Sequence, residues 1–162
     1  MIRYSTKIIN IYYLVFMCEF IFEYLDYFTI EEYFNMKWSI CFLTKVVEQI
    51  KPIKVFNNFK DKRLQLIKSK KDKTGVYCLV NLVNGNIYLG SSVNLAVRMK
   101  NYLNTTFLKH KKNNNMPIVK ALLKYGQENF AVLIVEYVDV ENLTVRETHY
   151  IKQLLPYYNV LK

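Results

Sequence analysis

The chain has 162 residues, with 23 Lys and Arg against 13 Asp and Glu, so its net charge is +10. This length accommodates one domain with an appendage, or at most two small domains. The three cysteines are widely spaced and there are two histidines, which excludes a Cys/His metal framework, and the basic balance favours a nucleic acid or an anionic membrane surface as partner.

The first 50 residues contain no motif that indicates a function. Their longest uncharged run, Ile8 to Cys18, is too short to cross a bilayer, so no transmembrane segment is predicted. Glu19 follows the run directly, a pattern that favours a buried or interfacial helix. Import presequences are rich in arginine and poor in acids, so none is evident here. We interpret residues 1–50 as an aromatic-rich, mostly helical segment of unknown role.

Residues 51–73 are much more basic than residues 1–50, with nine Lys and Arg against two Asp. We expect a basic linker here, with a domain boundary near Lys73. Two interpretations stay open. The segment is either a solvated tether or a basic arm that contacts a phosphate backbone without sequence preference. The second interpretation assigns nucleic-acid binding to four lysines, Lys68, Lys70, Lys71 and Lys73.

A β-hairpin is predicted from Gly75 to Gly90. Asn84 and Gly85 lie between two apolar runs and favour a two-residue type I′ turn, in which both residues have positive φ. In that turn Val83 pairs with Asn86. The alternation of the strands then predicts one apolar face, composed of Val76, Cys78, Val80, Leu82, Ile87 and Leu89.

The opposite face of this hairpin carries two phenols, Tyr77 and Tyr88. In the predicted register Tyr77 lies opposite Ser92 and Tyr88 opposite Asn81. The two side chains are then offset by four residues, or about 13 Å along the strands. Both side chains lie on the same face of the hairpin, but they can contact one ligand only if the sheet twists or bulges between them.

Further elements follow in chain order, and an α/β (α+β) domain is expected over residues 74–162. Arg98 and Tyr102 are spaced to share one edge of the first helix after the hairpin. Ser91 and Ser92 are the candidates for the N-cap of that helix. The predicted elements are a helix from about Val93 to Leu103, a loop from Lys109 to Asn115, a helix between Pro117 and Gly126, a strand from Phe130 to Val138, and a helix from about Asn142 to Leu155.

Glu147 is the least expected residue of the last helix, because its spacing places it on the apolar stripe. A carboxylate in that position is costly unless it is paired or binds a metal. An ion pair with Arg98 or with a lysine would satisfy it, and so would a functional role.

The residues taken together resemble the GIY-YIG nuclease family, most closely the homing endonucleases encoded in group I introns of fungal mitochondria. The tripeptides here read Gly-Val-Tyr and Tyr-Leu-Gly, so each keeps its Gly and Tyr and exchanges one aliphatic residue. The resemblance covers a little over half of the chain. It rests on Gly75-Val76-Tyr77, Tyr88-Leu89-Gly90, Arg98, Lys124-Tyr125-Gly126 with Phe130, Glu147 and Leu155-Pro156-Tyr157-Tyr158-Asn159.

The resemblance implies a GIY-YIG domain with a three-stranded antiparallel sheet flanked by helices, which hydrolyses DNA phosphodiester bonds with one divalent metal, Mg²⁺ or another such as Mn²⁺. Glu147 would be the metal ligand and Arg98 the phosphate clamp. Tyr77 would orient or deprotonate the attacking water, with Tyr88 assisting. A phenol serves as a base only if its pKa is depressed, as the metal and Arg98 would do. Tyr102 and Asn159 match further family positions in the site.

Double-stranded DNA is the implied partner, with no small-molecule cofactor beyond the metal and no predicted oligomeric state. The loop after the first helix adds Lys109, His110, Lys111 and Lys112 as candidate DNA contacts. The abundance of residues with A/T-rich codons fits a protein encoded and located in the mitochondrion. Two alternatives to an active homing endonuclease stay open: a DNA-binding remnant that does not cut, and a repair or structure-specific nuclease.

Overall fold

The computed structural model describes residues 30–69, 73–113 and 115–159, and the apolar run from Ile8 to Cys18 lies outside them. The chain divides into two compact units, Met1–Lys37 and Trp38–Lys162, and the second unit contains the sheet. Its elements, with the helix that leads into it, are α1 (Ile30–Ile50), β1 (Lys54–Phe56), α2 (Arg63–Ser69), β2 (Gly75–Asn81), β3 (Ile87–Ser92), α3 (Leu95–Leu103), α4 (Thr105–Lys109), α5 (Pro117–Tyr125), β4 (Phe130–Tyr137) and α6 (Leu143–Leu154).

The four strands form one antiparallel sheet in the order β1-β4-β2-β3. The antiparallel α+β architecture is confirmed, but the expectation of three strands is wrong by one. The additional strand, β1, lies within the segment expected to be a basic linker. Its Phe56 is buried, and its Lys54 pairs with Ile134 of β4. None of the helices in the described part of the chain has the length and apolar content that crossing a bilayer requires.

Both faces of the sheet are buried, each against its own helices. The predicted apolar face is confirmed, since Val76 and Leu89 pack with Val46 of α1 and Leu143 of α6. The tyrosine face is a second core, formed with α3 and α5. Burying a large aliphatic side chain contributes about 1.5–3 kcal/mol. Because successive side chains of β2 point to opposite faces of the sheet, this strand contributes to both hydrophobic cores. Helices α3 and α6 lie on opposite faces of the sheet.

The hairpin turn differs from the predicted type I′ turn. Gly85 has φ +73°, but Asn84 is not among the described residues with positive φ. The loop instead spans Leu82–Gly85 and is closed by a hydrogen bond from the Gly85 N–H to the Asn81 carbonyl (2.8 Å). The Asn81 side chain also accepts from the Val83 N–H, and such bonds stabilise longer turns. The register consequently moves by two residues from the predicted one.

The helices after the hairpin lie close to their predicted bounds. Pro117 begins α5 and Gly126 caps its C-terminus, as expected. The predicted N-cap of α3 is wrong, because Asn94, rather than Ser91 or Ser92, accepts from the N–H of Val97. This difference leaves the hydroxyl of Ser91 available for another contact.

Candidate active site

Three tyrosines from three elements form one cluster on the α3 side of the sheet. Tyr77 of β2, Tyr88 of β3 and Tyr102 of α3 have ring centroids 6.2–6.4 Å apart, within the range of favourable aromatic pairs. The shifted register makes this possible, because Tyr77 pairs with Gly90 and Leu79 with Tyr88. The two hairpin phenols are therefore offset by two residues instead of four. The predicted shared face is confirmed, and the predicted separation is wrong.

Gly90 leaves the space that the Tyr77 hydroxyl occupies. A Cβ added at Gly90 would lie 2.6 Å from that oxygen, which is too close for any side chain. The hydroxyl of Tyr77 also lies 3.1 Å from the hydroxyl of Tyr102, within hydrogen-bonding distance. The last residue of Tyr88-Leu89-Gly90 is thus a glycine for steric reasons, and it allows the cluster to close.

Arg98 is the cation of this cluster. It lies one turn before Tyr102 on α3, is half-buried, and interacts with the Tyr102 hydroxyl. It also lies close enough to Tyr77 and Tyr88 to lower the pKa of each phenol. The prediction that Arg98 and Tyr102 share one edge of the helix is confirmed.

Burial nevertheless raises the pKa of Tyr77 well above its usual value, and Tyr102 and Tyr88 add to the increase. Burial likewise raises the pKa of Tyr88, with Tyr102 and Glu147 acting in the same direction. Arg98 opposes both shifts without reversing them. Arg98 thus acts on both phenols in the expected direction, but burial outweighs it, so the phenols of Tyr77 and Tyr88 are neutral hydrogen-bonding groups at neutral pH.

We expect Tyr77 to remain un-ionised until the protein unfolds. Because its pKa is higher in the folded than in the unfolded chain, its contribution to stability is intact below about pH 10 and is lost as the pH rises further. Ultraviolet titration of phenolate between about pH 9 and 11 should give the same number of ionising tyrosines for wild type and Tyr77→Phe.

The contrary outcome of this titration is a change in that number. If Tyr77→Phe lowers the number of ionising tyrosines by one, the phenol of Tyr77 ionises in the folded protein and the assignment of a neutral phenol is wrong.

Glu147 approaches the same cluster from the other side of the sheet. It is half-buried on α6, and its Oε2 accepts a hydrogen bond of 2.6 Å from the Ser91 hydroxyl of β3. Its carboxylate also raises the pKa of Tyr88, so the two side chains are close. In the described part of the chain the ion pairs are Lys60–Glu128 and Arg146–Glu136, so the alternative of an ion pair for Glu147 is wrong.

The edge strand β3 is where the two sides of the sheet meet. Arg98 and Glu147 come from helices on opposite faces, yet both act on Tyr88. No further strand in the described part of the chain covers β3 on its outer side, so groups from the two faces of the sheet can approach each other around this strand.

Asn159 secures the edge strand. Its Oδ1 accepts from the N–H of Leu89 (2.8 Å) and its Nδ2 donates to the carbonyl of the same residue (2.7 Å). Tyr158 adds a backbone bond from its N–H to the Ile87 carbonyl (3.0 Å). These bonds flank Tyr88, so the terminal segment fixes the strand that presents this phenol.

A hydrated divalent cation fits the donors at this edge. Within residues 30–69, 73–113 and 115–159, no group of three or more His, Cys, Asp and Glu side chains is arranged to hold a metal. Mg²⁺ keeps several waters and needs one or two protein carboxylates. The single carboxylate of Glu147, a hard oxygen donor, is compatible with such an ion.

The predicted basic contacts lie outside the tyrosine cluster. Lys68 is exposed on α2, which packs against α3, and Lys73 is exposed just before β2. Lys70 and Lys71 lie outside the described residues. The remaining four are exposed around the end of α4 and the turn after it: Lys109, His110, Lys111 and Lys112.

Ser91 is the functional candidate that sequence reasoning missed. A serine shortly before a helix is typical of an N-cap, and this pattern concealed its contact with Glu147. No local signal connects two residues 56 positions apart.

The GIY-YIG catalytic domain matches residues 73–159 of the chain, which is more than half of it. Among curated proteins, a probable intron-encoded endonuclease 1 of Neurospora crassa is 35% identical over 113 residues, covering 63% of this chain and 34% of that protein. The UvrABC system protein C of Alkaliphilus metalliredigens is 36% identical over 90 residues, covering 56% of this chain and 13% of that protein. The chain therefore spans about a third or less of the length of these relatives.

Among solved structures, the catalytic domain of the homing endonuclease I-TevI is similar to this chain with a TM-score of 0.45 and 23% identity. The similarity covers 56% of this chain and 100% of that domain.

Proposed function

The chain belongs to the GIY-YIG family, and on that premise we propose that it is a divalent-metal-dependent DNA endonuclease of the intron-encoded homing type. One observation carries the proposal: Arg98 and Glu147 lie on helices at opposite faces of the sheet, both act electrostatically on Tyr88 of the edge strand, and Glu147 is bonded to Ser91 of the same strand. A phosphodiester at this edge would meet a guanidinium and a metal-binding carboxylate. The curated intron-encoded relative supports the homing assignment.

Arg98 is the phosphate clamp in this proposal. Its planar fork of N–H donors matches two oxygens of a phosphate and remains charged at every pH at which the protein is folded. Half-burial between the tyrosines excludes part of the competing water. The negative charge that grows on the phosphate during hydrolysis therefore meets a fixed cation.

Glu147 would hold the divalent cation, Mg²⁺ or Mn²⁺. Such a cation would offset the negative charge that develops on the phosphate and on the leaving oxygen. The carboxylate of Glu147 would neutralise part of the charge of the cation. No second carboxylate is needed, since such an ion keeps most of its waters.

The tyrosines orient the reactants. Tyr77 and Tyr88 stay protonated, so each donates or accepts a hydrogen bond without taking a proton in the resting protein. The hydroxyl of Tyr102 fixes that of Tyr77. Holding the attacking water in line with the phosphate is worth several orders of magnitude in rate.

Contacts to the DNA backbone come from the exposed lysines on the same domain. The net charge of +10 attracts the DNA, and the binding weakens as the salt concentration rises. The lysines that would bind phosphates are Lys68, Lys73, Lys109, Lys111 and Lys112. His110 accompanies them in the same turn. The abundance of residues with A/T-rich codons and the intron-encoded Neurospora relative support the mitochondrion as the location.

The test of this function is cleavage of DNA by the purified full chain under control of the metal. We expect Mg²⁺ or Mn²⁺ to permit cleavage of mitochondrial DNA and nicking of supercoiled plasmid, chelation to abolish both, and added metal to restore them. Salt-dependent binding without any cleavage would select the alternative of a DNA-binding remnant. Cleavage that persists after complete chelation would contradict the proposal.

A further inference from the structure

We propose that Ser91 is a positioning residue that fixes the carboxylate of Glu147 for the divalent cation, an inference that rests on the proposed metal-dependent function. The Ser91 hydroxyl donates to Oε2 of Glu147 at 2.6 Å. This length is typical of a strong hydrogen bond between a hydroxyl and an ionised carboxylate. The bond joins the edge strand to α6 at the point where the metal ligand is needed.

The backbone of Ser91 makes it a rigid anchor. Ser91 pairs with Val76 in the β2–β3 ladder, so the sheet determines where its hydroxyl lies. Glu147, in contrast, has a long side chain on a helix, and its free rotamers would spread the carboxylate over several positions. The hydrogen bond from Ser91 would restrict these rotamers before a metal ion binds.

The bond also leaves the rest of the carboxylate accessible. An ionised carboxylate accepts about four hydrogen bonds or metal contacts. Among the residues that the structure describes, Ser91 is the donor to Glu147, and it occupies one position on Oε2. Oε1 and the remaining lone pair of Oε2 are then oriented for a cation and its waters.

The hydroxyl of Ser91 has no competing structural task in the described structure. Asn94 caps α3, and Ser92 is the serine that bonds to the backbone of Asn94. Groups that orient a metal-binding carboxylate typically change metal affinity or activity about 10–100-fold when they are removed. We expect removal of the Ser91 hydroxyl to change metal affinity by an amount in this range.

The experiment measures Mn²⁺ binding to the full chain by electron paramagnetic resonance, without DNA and without turnover. We expect Ser91→Ala to weaken Mn²⁺ binding by about 10-fold or more. Ser91→Thr, which keeps the hydroxyl, should bind as the wild type does. Ser92→Ala is the matched control, because it removes a neighbouring hydroxyl that bonds elsewhere, and it should also bind normally.

Cleavage provides a second readout, which a merely structural role would not reproduce. In Ser91→Ala the Mn²⁺ concentration for half-maximal rate should rise by the same factor as the dissociation constant, while the rate at saturating metal should fall much less. Thermal unfolding of each variant establishes that it is folded.

Two failures are distinguishable. If Glu147→Gln abolishes Mn²⁺ binding while Ser91→Ala binds normally, the positioning role is wrong and the proposed function stands. The role is equally wrong if Ser91→Thr binds as weakly as Ser91→Ala. If Glu147→Gln binds Mn²⁺ as the wild type does, the metal site itself, and with it the proposed function, is wrong.

Discussion

Replacing Glu147 with glutamine should lower the metal-dependent cleavage rate by about 10³-fold, because a metal ion stabilises the transition state by several kcal/mol and each 1.36 kcal/mol is a factor of ten. Glutamine keeps the size of the side chain and an oxygen that can accept from Ser91, so the fold and the contact with β3 should survive. The charge that holds the cation is lost. The measurement is single-turnover cleavage of plasmid DNA at saturating protein.

The matched control for this substitution is Glu141→Gln. Glu141 is an exposed carboxylate just before α6, so the variant makes the same chemical change on the same side of the domain. Cleavage by Glu141→Gln should equal that of wild type. Comparable cleavage by wild type and Glu147→Gln would contradict the assigned role of Glu147.

Replacing Arg98 with alanine should lower cleavage by about 10²–10³-fold, the cost typical of removing one donor that stabilises transition-state charge. Arg98→Lys should recover a small part of this loss. Lysine restores the charge, but it does not reproduce the planar pair of donors that a phosphate meets. DNA binding should weaken far less than the rate, because many exposed cations share it.

Lys100→Ala is the matched control for Arg98. Lys100 is exposed on the same helix, and its removal changes the net charge by the same amount. A loss of rate in Lys100→Ala as large as in Arg98→Ala would mean that overall charge, rather than position, determines activity. Arg98→Lys with wild-type activity would mean that the fork of donors is not used.

The face assignment of the hairpin was predictable, because alternation in a strand is strict and a shift of two residues leaves it unchanged. The turn was not. Asn84 and Gly85 favour a type I′ turn by themselves, but the side chain of Asn81 bonds to the Val83 N–H and stabilises a longer loop. The longer loop is accompanied by the register that places Tyr77 opposite Gly90 and Leu79 opposite Tyr88.

Strand β1 was missed for a different reason. It has three residues and lies in a segment whose lysines favour solvent. Its pairing with β4 and the burial of Phe56 are tertiary contacts, and they override the local composition. Such short strands leave no periodic signal in the sequence.

In the candidate site, too, some features could be predicted from the sequence and others could not. Its residue types and order were readable, since Tyr77, Tyr88, Arg98 and Glu147 are spaced in a pattern that resembles a family. The net upward shift of the pKa of Tyr77 and Tyr88 was not readable, because the direction of a pKa shift depends on burial. The contact between Ser91 and Glu147 likewise requires the packing of α6 against the sheet.

Binding of a divalent cation by Glu147 at the edge strand, beside Arg98 and the tyrosines, can be seen by anomalous diffraction from crystals of the full chain grown with Mn²⁺. We expect a strong peak bonded to a carboxylate oxygen of Glu147, with water completing the coordination. A Mn²⁺ peak on other side chains, with the carboxylate of Glu147 unliganded, would contradict this expectation.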